Sequence, residues 1–375
     1  MLNPGRIALG ALTLALPAGA APAHAQQQTS SSMELGGDRL SVSQIEMQRL
    51  SDLGNALTAT PALQDRALDA ARRVAVSPDA RHAFASYALE IAQRRHDNVL
   101  RAEALDILIA SRRTRPERLI SYLAARGDIA YRAGDYALAS THWTRVAELQ
   151  PNDPQSLMNL AQVRQALQDP AGATALIRRA IALPRPGNAP VPETWYRQWL
   201  SIAYNGHQQA ETASAGLALL AAYPNPANWR FALAAYRQLL ATQAAAEIDM
   251  LRLMRGTRVF NQPVEYQRLA QLLIRAGHPA EARETLDDGI SRGIVARDVS
   301  PIPEIGREIA RALAGQRAPS SLLTAGGDLQ SAALLAMAGR RAEAEPILHV
   351  IADHGAQDWQ RDLAGFWLLW LARPA

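Results

Sequence analysis

A chain of 375 residues that is 48% apolar and 20% charged can bury a substantial core, and disorder is excluded for most of its length. Its formal charge of +4 balances 39 basic against 35 acidic residues, too even a mixture for a nucleic-acid surface. Every basic residue other than histidine is arginine, and cysteine is absent. The second fact excludes disulfide staples, thiolate metal sites, thiol catalysis and a cysteine-linked lipid anchor.

Arg6, the apolar run from Ile7 to about Ala21 and the small-x-small sequence Ala23-His24-Ala25 are the parts of an export signal, with cleavage expected after Ala25. Retention of residues 1–25 as an anchor is the alternative. Residues 26–40, rich in Gln, Ser and Gly, are expected to form a flexible leader. Residues 41–80 carry helical periodicity: Ile45, Leu50, Leu53 and Leu57 share one face, and Leu63, Ala67, Ala70 and Val74 another. From Ser41 onward no window alternates with period two, so no sheet is expected.

Between 81 and 356 a small residue returns at roughly constant spacing. Ala104, Ala139, Ala173, Ala213, Ala246, Ala282 and Ala344 are separated by 35, 34, 40, 33, 36 and 62 residues. The interval of 40 holds the proline-rich insertion 184–192, and the interval of 62 a degenerate pair whose first helix is expected between Pro303 and Ala314. About twelve residues earlier stand Ala92, Gly127, Ala161, Ser201, Ala234, Ala270 and Ala332. Small residues at both places let two helices approach closely. A bulky apolar residue follows each second-helix alanine by four positions, as in Trp143, Ile177 and Leu348. Gly134, Gly277 and Gly339 mark the turn between the two helices, a place for a left-handed cap. The pair at 226–255 lacks that glycine.

This pattern resembles the tetratricopeptide-repeat (TPR) family, whose units of about 34 residues bury their apolar faces only by stacking. The resemblance covers roughly 81–356 and implies an all-α, right-handed α-α superhelix, a TPR-like solenoid. The segment Tyr223-Pro224-Asn225-Pro226-Ala227-Asn228-Trp229 is similar to a stretch of exported proteobacterial TPR proteins. Residues 357–375 then read as a C-terminal capping helix whose apolar side is Leu363, Phe366, Trp367, Trp370 and Leu371.

Reactive groups do not converge. The histidines are scattered, His349, Asp353 and His354 form the single local cluster, and there is no nucleophile elbow, phosphate loop or dinucleotide fingerprint. No catalytic residue, metal or cofactor is expected, and no nucleic-acid partner or transmembrane segment after signal cleavage. In the TPR resemblance the first helices line the groove. Register then selects Gln93, Asp128, Arg132, Gln155, Asn159, Gln162, Gln165, Trp195, Gln198, Asn205, Gln267, Gln271 and Arg275 as groove-lining. Amides donate and accept, so such a groove suits an extended backbone. The lysines of the family's carboxylate clamp are absent. The expectation is a non-catalytic periplasmic or secreted scaffold for a protein or peptide. The alternative is a glycan-handling component, for which the aromatic cluster from Trp195 to Tyr236 would supply a stacking platform.

Overall fold

The computed structural model describes residues 30–240, 244–315 and 328–373. The apolar N-terminal run and the cleavage site lie outside the described residues. Two compact units divide the chain, one up to Tyr122 and one from Leu123 onward.

The first unit opens with a correction to the expected leader. Strands β1 (Ser30–Leu35) and β2 (Asp38–Ser43) form an antiparallel hairpin in which Leu35 pairs with Asp38. Gly36 and Gly37 make the two-residue turn at φ 60° and 84°. A turn of this kind needs positive φ at both positions, which glycine adopts without strain. Leu40 and Val42 are buried while their neighbours face outward, a short period-two alternation. Two inward residues are enough here because the hairpin lies on α1 (Gln44–Asn55) and α3 (Pro78–Arg95).

Glu46 fastens this region. It completes a capping box with Ser43 at the start of α1, and its Oε1 also accepts from the amides of Val76 and Ser77 at 3.1 and 2.8 Å. Burial alone would push its carboxyl up, but the hydrogen bonds from Ser43 and Ser77 outweigh it and hold the group below its usual range. A carboxylate with a depressed folded pKa contributes stability above its unfolded pKa and loses it as the pH falls through the folded one. Glu46→Ala should therefore cost roughly 2–3 kcal/mol at pH 7, where three amides lose a charged acceptor. Urea melts should show that difference shrinking below about pH 4. A difference that grows on acidification would refute the assignment.

The remaining helices of the first unit are α2 (Pro61–Val74), α4 (Asn98–Ala110) and the start of α5 (Pro116–Arg132). The second unit carries α6 (Tyr136–Leu149), α7 (Pro154–Ala166), α8 (Pro170–Ala182), α9 (Glu193–Asn205), α10 (Gln209–Ala222), α11 (Pro226–Leu239) and α12 (Ala244–Gly256). After these come α13 (Pro263–Arg275), α14 (Pro279–Ser291), α15 (Ile302–Gly315), α16 (Leu329–Met337), α17 (Arg341–His354) and α18 (Asp358–Leu371). Eight of these eighteen helices begin with proline. Its missing N–H is one that a first helical turn would leave unpaired, so the prolines that break the pattern also set where it restarts.

The fold class is all-α, a helical-repeat array built from the pairs that the sequence spacing marks. All seven second-helix alanines are at most 1% exposed. Gly134, Gly277 and Gly339 sit at φ 80°, 82° and 75°, as left-handed caps require. On Gly127 a Cβ would lie 2.8 Å from the Trp143 ring, so that pair closes only because the position has no side chain. Ala139, completely buried on α6, should accordingly resist enlargement: Ala139→Leu is expected to cost roughly 1–3 kcal/mol in a thermal or urea melt. Arg292 reads as an inert surface comparison, but its guanidinium donates to the Tyr266 hydroxyl at 2.6 Å. Arg307, largely exposed and paired among the described residues only with Glu304 three residues away, is the better control. Arg307→Ala should stay within about 0.5 kcal/mol.

The array does not end by simple addition. Helix α16 packs on α12, and α18 packs on α10, α12 and α16 as well as on its neighbour α17. The capping helix thus covers apolar surface well back along the chain. Tyr236 of α11 donates to Asp362 of α18 at 2.5 Å, and Arg373 lies over the Trp229 ring.

Candidate functional site

The register-selected residues are all at or near the surface. Nine are exposed, while Asn159, Trp195, Gln198 and Gln267 are half-buried. Gln93 belongs to α3 of the first unit; the other twelve belong to the second. They fall at helical spacing along α5, α7, α9 and α13, as a strip that is amide on α7, mainly amide on α9 and α13, and an acid and an arginine on α5. Within α7 the Gln155 amide donates to Asn159 Oδ1 at 3.0 Å, and within α9 Asn205 approaches Ser201 at 3.5 Å. Trp195 is covered on one face by the Arg185 guanidinium, 4.5 Å from its ring centre.

The ties between successive first helices are made by residues that the register does not select. Tyr204 of α9 hydrogen-bonds Gln238 of α11. Arg197 of α9 donates to Asn228 of α11 at 2.5 Å and lies over Phe231. Arg230 of α11 approaches Glu265 of α13 at 3.4 Å. The partners in these pairs are 34, 31 and 35 residues apart, one repeat length. A polar side chain whose complement recurs one period later is the signal that could have found them.

A cleft of about 350 Å³ opens beside these ties, lined by Ala234, Arg237 and Gln238 of α11, Glu247 and Met254 of α12, and Glu265 of α13. The α11 and α12 helices touch far less than those of α7–α8 or α13–α14, because α12 packs on α13, α16 and α18 instead. Ala234 occupies the small-residue place of its helix, yet it is only half-buried and faces the cleft. Ser201, at the same place on α9, is half-buried too.

Glu247 accepts from Arg268 Nε and Nη2 at 3.0 and 2.7 Å and from Arg237 at 3.3 Å. The hydrogen bonds from Arg268 lower its carboxyl against the cost of burial, and Arg237 lowers it further. A carboxylate held in this way stays ionised and is a poor proton acceptor. Counted with their partners, the two carboxylates of the lining, Glu247 and Glu265, meet three guanidinium groups, Arg237, Arg268 and Arg230, and Gln238 adds an amide at the rim. The cleft can therefore hold carbonyl or carboxylate oxygens.

The aromatic cluster serves packing. Trp199, Trp229 and Tyr236 are buried, Trp199 donates to Glu211 at 2.9 Å, and Tyr223 donates to the Val191 carbonyl at 2.5 Å, tying down the proline-rich insertion. Among the described residues no group of three His, Asp or Glu is placed to hold a metal ion, and His349, Asp353 and His354 are exposed on α17. None of the described helices is long and apolar enough to cross a membrane.

No family model matches the chain, and no curated protein matches it. Among solved structures, one described as the crystal structure of BtubC (BKLC) from P. vanneervenii is similar to it at 13% identity, over 75% of this chain and 98% of that one, with a TM-score of 0.22.

Proposed function

We propose that this is an exported TPR-type protein of the periplasm that binds another protein, or an extended peptide, without catalysing a reaction on it. The observation that carries the reading is the cleft between α11, α12 and α13, with Arg237 and Gln238 at its edge. The amide strips of α7 and α13 extend the same chemistry along neighbouring helices. Amide and guanidinium groups satisfy the carbonyls of an extended chain whatever its side chains are, while Met254 and Ala234 offer apolar contact. The glycan alternative has the half-buried rings of the cluster in its support, but not Trp199, Trp229 and Tyr236, which are buried.

The test is peptide selection against protein recovered from the native host's periplasm, where N-terminal sequencing is expected to begin at Gln26. Selected peptides should bind one to one. Arg237→Ala with Gln238→Ala should weaken them about tenfold or more, because charged and neutral hydrogen bonds at a partly dry cleft are both lost. Glu247 keeps Arg268 in that variant, so the fold should persist. Selection that yields no peptide, or binding unchanged by the double substitution, rejects the reading.

A further inference from the structure

A second cavity lies in the first unit and owes nothing to the peptide-binding reading. It measures about 560 Å³, within the range of small-molecule sites. Its walls are Pro78 and His82 of α3 with Ile107 and Ala110 of α4, and its rim is Arg81, Arg112 and Arg113. Three ties hold the loop that carries two of those arginines. Arg113 makes a bidentate bond to Asp79, with Nε and Nη2 each at 2.8 Å. Ser111 Oγ lies 3.0 Å from His82 Nδ1, and Arg115 donates to Asp38 of the hairpin at 2.7 Å. The loop is thus ordered before a ligand arrives, and binding has to order only the side chains of Arg81 and Arg112.

The charge count decides the ligand. Asp79 is saturated by Arg113 and by the Ser41 amide at 2.8 Å, and Asp38 by Arg115. Arg81 and Arg112 have no hydrogen-bond or ion-pair partner among the described residues, although they border the same cavity. Burial keeps the His82 imidazole below its usual pKa, so the back wall is neutral at pH 7 and the positive charge sits at the mouth. An apolar floor under a doubly cationic mouth is complementary to an amphiphile whose anionic end stays at the entrance.

We propose that this cavity binds a small organic anion, a phosphate or carboxylate carried on an apolar body, with Arg81 and Arg112 on the anion and Ile107, Ala110 and Pro78 on the body. Such a group could come from a soluble metabolite or from a membrane lipid, and the proposal is for the soluble molecule.

Isothermal titration calorimetry on the full chain tests it, with octyl phosphate and octanoate below their micellar concentrations as probes. Saturable one-to-one binding of octyl phosphate or octanoate is expected, with octanol and inorganic phosphate each at least tenfold weaker. Arg81→Ala with Arg112→Ala should weaken binding about tenfold or more, one charge-assisted contact being worth about that factor. Both side chains are exposed and unpaired, so the thermal melt should not change. Absence of saturable binding, inorganic phosphate binding as tightly as octyl phosphate, or a double variant with unchanged affinity would each overturn the proposal. Sedimentation with phosphatidylglycerol vesicles without any binding of the soluble probes would overturn it too, in favour of a membrane surface.

Discussion

Trp367→Ala is expected to lower stability by about 3–5 kcal/mol, the range for removing a fully buried indole. Trp367 and Phe366 of α18 have no exposed surface, and neither does Leu363. The contacts are long-range. A Cβ on Gly216 of α10 would lie 3.1 Å from the Phe366 ring, and one on Gly256 of α12 would lie 3.2 Å from the Trp367 ring. The aromatic rings of α18 therefore fill spaces that these glycines leave on other helices. Trp367→Phe should cost much less than the alanine change, because the indole Nε1 is buried with no hydrogen-bond partner among the described residues. Deletion after Gln357 removes all three side chains and should expose a contiguous apolar surface of α10, α12 and α16, giving aggregation visible by light scattering. A soluble, monomeric truncation, or a Trp367→Ala melt within 1 kcal/mol of the parent, would refute this packing.

The second large effect concerns Arg252, whose side chain is 2% exposed. Its Nε and Nη2 donate to Glu281 of α14, each at 2.8 Å, and its Nη1 donates to Asp249 at 2.8 Å. Arg252→Ala or Glu281→Ala should cost about 3–5 kcal/mol, since each leaves a buried charge without its partner. Arg252→Met with Glu281→Leu should recover only part of that loss, because Asp249 stays behind as a buried carboxyl without its donor. Burial pushes the Asp249 carboxyl above its usual range in spite of Arg252. A carboxylate with a raised folded pKa favours folding below its unfolded pKa, and this contribution is lost as the pH rises through the folded one. Without Arg252 the raised pKa has no counterweight. Arg252→Ala should therefore be less destabilised at pH 5 than at pH 8 in denaturant melts, and the opposite order would show that Asp249 is not buried as described.

Much of the fold was legible because it is local. The seven buried alanines and the turn glycines follow from helical spacing, as a helix pair needs small residues at its crossing and a left-handed residue at its turn. The hairpin was legible in principle, through Gly36-Gly37 flanked by Leu35 and by the alternating Leu40 and Val42. Two inward residues are too few to stand out against a helical background.

The candidate sites were only partly legible. The amide strips come from register, but the cleft at Ala234 comes from interactions between elements far apart in the chain. Nothing in residues 226–255 by themselves says that α12 leaves α11 to pack on α16 and α18, and that departure is what opens the cleft at Ala234. Likewise, Arg81 and Arg112 resemble every other surface arginine until Arg113 and Arg115 are seen to consume the acids around them. Sequence by itself determined the helix pairs and their spacing, since backbone hydrogen bonding and side-chain size act within one repeat. Tertiary structure alone decided which apolar faces α18 covers and which charges remain unpaired, because both depend on what distant parts of the chain bring to the same place.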